Sequence, residues 1–486
     1  MSGAARRWAY ALLGLLAAVA GTAYAAVPLL RWRQVLTPSW DNAIFSQALI
    51  SYASGELPTA TIKGPGFALL GDHFSPAVAV LTPLWWAWPD GRVLLLAQAV
   101  LLAFSMVVIG RAAVQRLGAV PGLAMSVAYA GSFAIAAAVA VDFHEVTLAV
   151  PLLALAGAAW LRDDIRAVIG WSLPLLLVKE DLGATVAAVG LVLLLDRRRR
   201  HPRAGTALLV GGLVAAALTV LVVVPALGQG GYDYLAGFEG SASTTSGAVG
   251  LDGLTAGWGT KLTTLLVTLG SVAFLALLSP WALLLLPTLA WRFAGDNATY
   301  WGTDWHYSLV LAPVLAVAAV DALERLRGRG RPRGPAAAAA RVAPLAAVGA
   351  TLGLAWGGPY ATLLDPGSYA TTARTADART VQATLPRGSV VESDIGLITR
   401  LVADHRTWWV GTAPAGLDPD YVVVDQVYGG WSGPVDPVAF AEEKHAGTAY
   451  DLLLRAGDFA VARRVSSPDA PGADARSTAA SPRGAR

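Results

Sequence analysis

Long apolar stretches separated by short polar ones run from residue 9 to about residue 357, and the pattern then changes character. A helix needs about 20 apolar residues to cross the ~30 Å hydrocarbon layer. Lipid offers the backbone no hydrogen-bond partners, so each long apolar stretch is read as a spanning helix. About eleven cores are predicted, at 9–30, 92–110, 119–141, 146–161, 166–178, 182–195, 205–227, 261–279, 281–293, 306–324 and 338–357. Two further segments are read as juxtamembrane helices at the outer interface. One, near 39–54, spaces Trp40, Ile44 and Ala48 four residues apart. The other, near 74–88, would set Trp85, Trp86 and Trp88 in an aromatic belt.

Beyond residue 357 the alternation is that of a small α/β unit. Strands are predicted at Ser389–Glu392 and Tyr421–Asp425, a helix around Leu397–Asp404, and a final helix-strand pair from Ala439 to Val465. The chain thus divides into a membrane module at 1–357, an α/β unit at 358–465 and a polar tail at 466–486 whose composition predicts disorder. Gly228–Gly259 reads as a mobile outer loop and Arg325–Ala340 as a linker on the opposite side.

Composition agrees with a lipid solvent: 55% of residues are hydrophobic, 14% are charged, and the mean hydropathy is +0.54. A formal charge of +3 gives no reason to expect nucleic acid, and the absence of cysteine rules out disulfides and thiolate metal sites. The arginines fall in short runs, at Arg6 and Arg7, Arg111 and Arg116, Arg162 and Arg166, Arg197–Arg200 with Arg203, and Arg325–Arg333. Counted through the predicted spans, all fall on one side, which the positive-inside rule makes cytoplasmic. The N-terminus is then cytoplasmic and the C-terminal unit extracytoplasmic. This holds only if 74–88 does not cross. The first span, with Arg6, Arg7 and Ala23-Tyr24-Ala25, also has the form of a signal peptide, which leaves the later topology unchanged.

Ionisable side chains are costly at membrane depth, so their placement is informative. The middles of the helices hold almost none. The outer loops and helix ends hold Asp41, Asp72, His73, Asp142, His144, Glu145, Lys179, Glu180, Asp181, Asp296, Asp304 and His306. An ion-coupled carrier usually needs charges near the midplane, so the pattern argues for a site assembled from outer helix ends. Asp41 either caps its helix or takes a proton from an acceptor hydroxyl. Asp72-His73 and Asp142-Phe143-His144-Glu145 each set a histidine beside a carboxylate, as capping groups do and as a phosphate partner or a divalent cation requires. Asp41, Asp142, His144 and Glu145 are the candidate ligands of such a cation. Lys179-Glu180-Asp181 is either self-neutralising or offers Lys179 to a phosphate. Arg292 and His306 are candidates to face an anionic lipid headgroup.

Taken in order, Trp40-Asp41-Asn42-Ala43-Ile44-Phe45-Ser46-Gln47, His73-Phe74-Ser75-Pro76, Asp142-Phe143-His144-Glu145, Lys179-Glu180-Asp181 and His306-Tyr307 running to Pro313 resemble the GT-C superfamily of polyprenyl-phosphate-sugar-dependent glycosyltransferases. Within it they are similar to a bacterial branch of polytopic membrane proteins known as a domain of unknown function. The resemblance implies inverting transfer of a sugar from a polyprenyl-phosphate donor to a cell-envelope acceptor at the outer membrane face. It implies Asp41 as general base, with Asp142, His144 and Glu145 orienting the acceptor or holding a metal. His73, Lys179, Glu180, Asp181, Arg292 and His306 would then contact substrate, the cations meeting the leaving phosphate. A lipid or glycan transporter and a non-enzymatic membrane scaffold are the alternative readings.

Overall fold

The structure is a computed structural model and describes residues 2–36, 40–228, 256–295, 297–328, 335–355 and 357–465. The predicted mobile loop from 229 to 255, Asp296, the centre of the predicted linker and the tail from 466 lie outside the described residues. The fold is that of an α-helical polytopic membrane protein with a small α/β domain at its C-terminal end.

The N-terminal half runs α1 (Gly3–Arg33), α2 (Asp41–Ala53), α3 (Thr82–Ala87), α4 (Arg92–Leu117), α5 (Ala119–Ala130), α6 (Phe133–Ala140), α7 (Ala149–Leu161), α8 (Ile165–Ser172) and α9 (Leu182–Leu195). There follow α10 (Pro202–Leu218), α11 (Val224–Leu227), α12 (Trp258–Gly270), α13 (Leu285–Ala294), α14 (Ala298–Trp301), α15 (Leu311–Arg327) and α16 (Pro335–Ala355). Four described helical stretches are long and apolar enough to cross a membrane: Gly3–Arg33, Arg92–Leu117, Ala119–Ala140 and Pro202–Leu227. The first and last are peripheral. Their exposed stripes, such as Leu12, Leu15 and Val19 or Val210, Leu213 and Leu221, are the faces a bilayer covers.

Other predicted spans are shorter than lipid alone would demand. Leu173–Leu177 and Glu145–Leu148 are 3-10 turns, and polar, non-helical backbone follows or precedes them. Such backbone is tolerated where protein covers it, and here protein does: His144, Glu145 and Glu180 are all buried. Where α9 meets α10 the helices approach closely because no side chain intervenes. A Cβ on Gly190 would lie 2.3 Å from Leu209 N, and one on Gly212 would lie 2.5 Å from Ala187 N. Small residues at such contacts replace the hydrophobic drive that lipid does not supply.

The arginine runs gather at one end of the bundle. Asp321, fully buried on α15, accepts from Arg199 at 2.8 Å and from Ser279 at 2.7 Å, and pairs with Arg325. Arg325 also reaches Asp196 at 3.0 Å, Arg199 reaches Glu324 at 3.2 Å, and Arg116 reaches Glu324 at 3.2 Å. Asp181 precedes α9 and Asp196 ends it, so this ion-pair layer stands roughly 22 Å from the other helix ends at 1.5 Å per residue.

The C-terminal domain holds α17 (Ala373–Thr384), α18 (Ile398–Leu401), α19 (Pro437–Lys444) and five strands, β1 (Val390–Ser393), β2 (Arg406–Trp409), β3 (Tyr421–Asp425), β4 (Tyr450–Ala456) and β5 (Phe459–Arg464). Their order is β2-β1-β3-β5-β4, with β1 parallel to β2 and β3, and β5 antiparallel to β3 and β4.

Several expectations are corrected. The predicted last strand is a hairpin, because Gly457 at φ +53° turns the chain between β4 and β5. The predicted helix at 397–404 is a single turn, and α12 begins at Trp258, inside the predicted loop. Helix α15 continues to Arg327 and α16 starts at Pro335, so the linker between them is short. Trp85 is buried, leaving Trp86 and Trp88 as the exposed indoles of the predicted belt.

Removing one partner from a buried ion-pair network leaves uncompensated charge, at a cost of about 3–5 kcal/mol. Asp321→Asn should therefore lower the Tm of the detergent-purified protein sharply. Ser279→Ala, which loses one hydrogen bond to the same carboxylate at about 1 kcal/mol, should lower it much less. Equal Tm values for Asp321→Asn and the parent would show that the network does not hold this end of the bundle.

Candidate functional site

At the end of the bundle opposite the arginine layer, side chains from five separate segments meet. Asp41 opens α2, and its side chain is 35% exposed. Its Oδ2 lies 3.3 Å from His144 Nε2. His144 sits in the extended link between α6 and the Glu145–Leu148 turn, and its Nδ1 lies 3.1 Å from the Asp142 carbonyl oxygen. Both ring nitrogens thus face oxygen atoms, an arrangement that favours the protonated ring. Burial opposes that charge, but the Asp41 carboxylate and its hydrogen bond outweigh it and raise the His144 pKa.

His306, in the turn His306–Ser308 before α15, stacks on His144 with ring centroids 3.4 Å apart and planes 23° apart. Two stacked imidazoliums would repel, so the geometry disfavours charging both rings at once. His306 Nδ1 is buried with no hydrogen-bond partner among the described residues, and the Tyr307 ring lies against the His306 ring, tilted by 47°, with centroids 4.3 Å apart.

The next pair is Lys179 and Glu145, 2.6 Å apart. Burial works against both charges, and each nevertheless holds the other ionised: Lys179 is well above the ordinary lysine range and Glu145 below the ordinary glutamate range. Glu180 accepts from Phe74 N at 3.1 Å and from His73 Nδ1 at 3.4 Å. Although burial opposes it, the His73 hydrogen bond and the charge of Lys179 lower its pKa to about 2. His73 also faces Asp72 at 3.8 Å, while Asp72 is paired with Lys63. Burial pushes Asp181 up to about 6, and its Oδ1 is buried without a partner among the described residues. Lys179, Asp181, His306 and Tyr307 line a cavity of about 20 Å³, room for one water molecule.

Arg292 stands apart from these pairs. It is fully buried on α13, and its guanidinium donates to Tyr300 O at 2.8 Å, Gly302 O at 2.5 Å and Ser308 Oγ at 2.9 Å, all of them neutral. It fastens the 300–308 segment that presents His306 and Tyr307. For a divalent cation, no group of three histidine or carboxylate side chains is suitably arranged among the described residues. Of the candidate ligands, His144 faces Asp41 with Nε2 and the Asp142 carbonyl oxygen with Nδ1, while Glu145 is paired with Lys179.

Sequence reasoning missed the C-terminal domain's part in the site. Trp40, next to Asp41, packs on Trp409 of β2 with centroids 5.3 Å apart. Gln47 of α2 donates to Thr407 O at 2.9 Å, and Thr61 donates to the same oxygen at 2.7 Å. Only the paired tryptophans in Arg406–Trp409 hinted at such a contact.

The family described as Predicted membrane protein (DUF2079) matches residues 31–348. No curated protein matches the chain. Among solved structures, the crystal structure of ArnT from Cupriavidus metallidurans bound to undecaprenyl phosphate has a TM-score of 0.51 at 14% identity, covering 92% of this chain and 98% of that one. The apo state of the same protein gives 0.49 at 15% identity, covering 90% and 96%. At these identities the likeness to the lipid-bound structure is one of fold: the architecture is GT-C-like.

The raised His144 pKa has a definite sign. Its stabilisation is complete below the ordinary value of 6.5 and is lost as pH rises through the raised folded-state value. Asp41→Asn removes the cause. The Tm of the parent should fall more steeply than that of Asp41→Asn as pH is raised from below 6.5 into the alkaline range. Parallel Tm curves for the two proteins would show that Asp41 does not hold the His144 proton.

Proposed function

The chain belongs to the family of predicted membrane proteins described as DUF2079, and from that footing we propose that it is an inverting glycosyltransferase. It moves a sugar from a polyprenyl-phosphate donor to a hydroxyl of a cell-envelope acceptor. The membrane module, residues 1–357, carries the reaction at the outer face, with the N-terminus in the cytoplasm and the 358–465 unit outside it. The observation that carries the reading is the meeting of Asp41, His144, His306, Lys179–Glu145 and His73–Glu180 at one end of the bundle. It is supported by a GT-C-like fold shared with a protein whose crystal structure holds undecaprenyl phosphate.

In this mechanism the acceptor oxygen attacks the anomeric carbon while the bond from that carbon to the phosphate oxygen breaks. The bonding pair leaves with polyprenyl phosphate, and the hydroxyl proton passes to the Asp41 carboxylate. A single displacement inverts the anomeric centre. His144 holds Asp41 ionised and aimed, and the part of Asp41 that remains exposed is the face an acceptor can approach. Lys179 and His73, both partly buried, supply fixed positive charge for the departing phosphate. Glu145, Glu180 and Asp181 keep those cations in place, and Arg292 positions His306 and Tyr307. Asp142 orients His144 through its carbonyl.

Incubating the purified protein with a panel of polyprenyl-phosphate sugars and envelope acceptors should release polyprenyl phosphate. Asp41→Asn should cut that turnover by about 10²–10⁴-fold, the usual contribution of a general base, with the protein still folded by Tm. Undiminished turnover by Asp41→Asn would remove Asp41 as the base.

A further inference from the structure

A cleft of about 1010 Å³ lies between the membrane module and the C-terminal domain, away from the paired charges described above. Its floor is the end of α1, with Trp32 and Arg33, and the start of α4, from Trp88 to Arg92. Its walls come from α17 and from the chain around α18. Five arginines line it, Arg33, Arg92, Arg379, Arg387 and Arg400, against two acids, Asp90 and Asp404.

The two acids are already committed. Asp90 takes Arg92 through two bonds, at 2.8 and 2.6 Å, and Asp404 lies 3.3 Å from Arg387. The remaining three guanidinium groups meet neutral groups or nothing among the described residues. Arg33 donates to Thr371 Oγ1 at 3.0 Å, and Arg400 donates to Gln382 Oε1 at 3.3 Å and to the Trp32 carbonyl. Among the described residues Arg400 Nε is buried with no partner, and the exposed Arg379 has no carboxylate paired with it. Burial, and after it the charge of Arg92, push Arg400 down to about 10. The ordinary account of a surface arginine, a solvated charge with no duty, covers Arg379 and does not cover the orphaned donor of Arg400.

The position of the cleft indicates the source of the missing anion. Arg400 stacks over Trp32 at 5.3 Å and Arg92 over Trp88 at 4.9 Å, and both indoles stand at helix ends. Tryptophans at helix ends mark the headgroup level of a bilayer. Guanidinium groups converging there fit phosphate through their paired donors. We propose that this cleft docks the phosphate of an anionic lipid headgroup from the leaflet beneath the C-terminal domain. The site is separate from the transferase reading and stands without it. The two regions adjoin, however: Asn42, next to Asp41, donates to Gly91 O in the cleft floor at 3.2 Å.

Native mass spectrometry of the full chain in detergent, titrated with phosphatidylglycerol, phosphatidylcholine or inorganic phosphate, tests the assignment. The parent should retain phosphatidylglycerol in preference to phosphatidylcholine. Arg33→Gln/Arg379→Gln alters two exposed side chains with one hydrogen bond between them, so it should fold normally. It should weaken phosphatidylglycerol retention by roughly tenfold or more, as expected for two arginines near a headgroup. Adding Arg400→Gln should abolish the preference, and Lys444→Gln on distant α19 should leave it unchanged. Equal retention of the two lipids by the parent, undiminished phosphatidylglycerol binding by the double variant, or saturation by inorganic phosphate without lipid preference would each overturn the proposal.

Discussion

A charge removed from water must find a counter-charge, and that requirement organises this molecule more than any single apolar contact. The apolar helices are interchangeable in kind, since lipid and leucine differ little as neighbours. What distinguishes their ends is ionic. At one end Asp321 and Asp196 bind Arg199 and Arg325. At the other Asp41 meets His144, Glu145 meets Lys179, and Glu180 meets His73. Several helices carry a member of each layer, α15 with its preceding turn and α9 with its flanking residues among them, so the two layers together fix register along the bundle. A helix sliding by one turn would strip buried charges of their partners at both ends.

The C-terminal domain is held by a different chemistry. Its contacts with the membrane module are largely hydrogen bonds to backbone carbonyls, such as Gln34 to Gly367 O, Thr375 to Arg33 O and Gln47 to Thr407 O, with Ile398 and Val402 buried in the membrane module's core. Val35 crosses the other way, into the core beneath the sheet. Because Trp40 leans on Trp409, the start of α2, and so the Asp41 carboxylate, is set by β2 of a domain more than three hundred residues away in sequence.

What could be read from the sequence follows from the range over which each feature is encoded. Apolar runs are local, so the spans at 92–110, 182–195 and 205–227 correspond to α4, α9 and Pro202–Leu227. Residue types at the outer helix ends are also local, and so the candidate positions could be named. Their pairing is not local. Nothing in Asp142-Phe143-His144-Glu145 announces that His144 turns to Asp41 while Glu145 turns to Lys179. Strand β2 is four residues long and opens on an arginine, and α17 is polar except for a few small and branched residues such as Ala378 and Val381. Periodicity is weak in both, and tertiary packing decides them. The arginine cleft draws residues from 33 to 400, and no window of sequence contains it.

The contrast between compensated and uncompensated cations separates structure from function here. Arg199 and Arg325 have carboxylate partners in full measure, and a group so satisfied has no need of a ligand. Lys179 is also paired, yet its partner Glu145 is tied to it by a single contact of 2.6 Å, leaving the ammonium two further donors. Arg292 goes further, bonded to carbonyl and hydroxyl oxygens that orient it without cancelling its charge. Its field therefore reaches the neighbouring turn that carries His306, where His144 and Lys179 also converge. In this cluster His144, Lys179 and His73 are each met by a carboxylate, and Arg292 is the cation whose partners are all neutral oxygens.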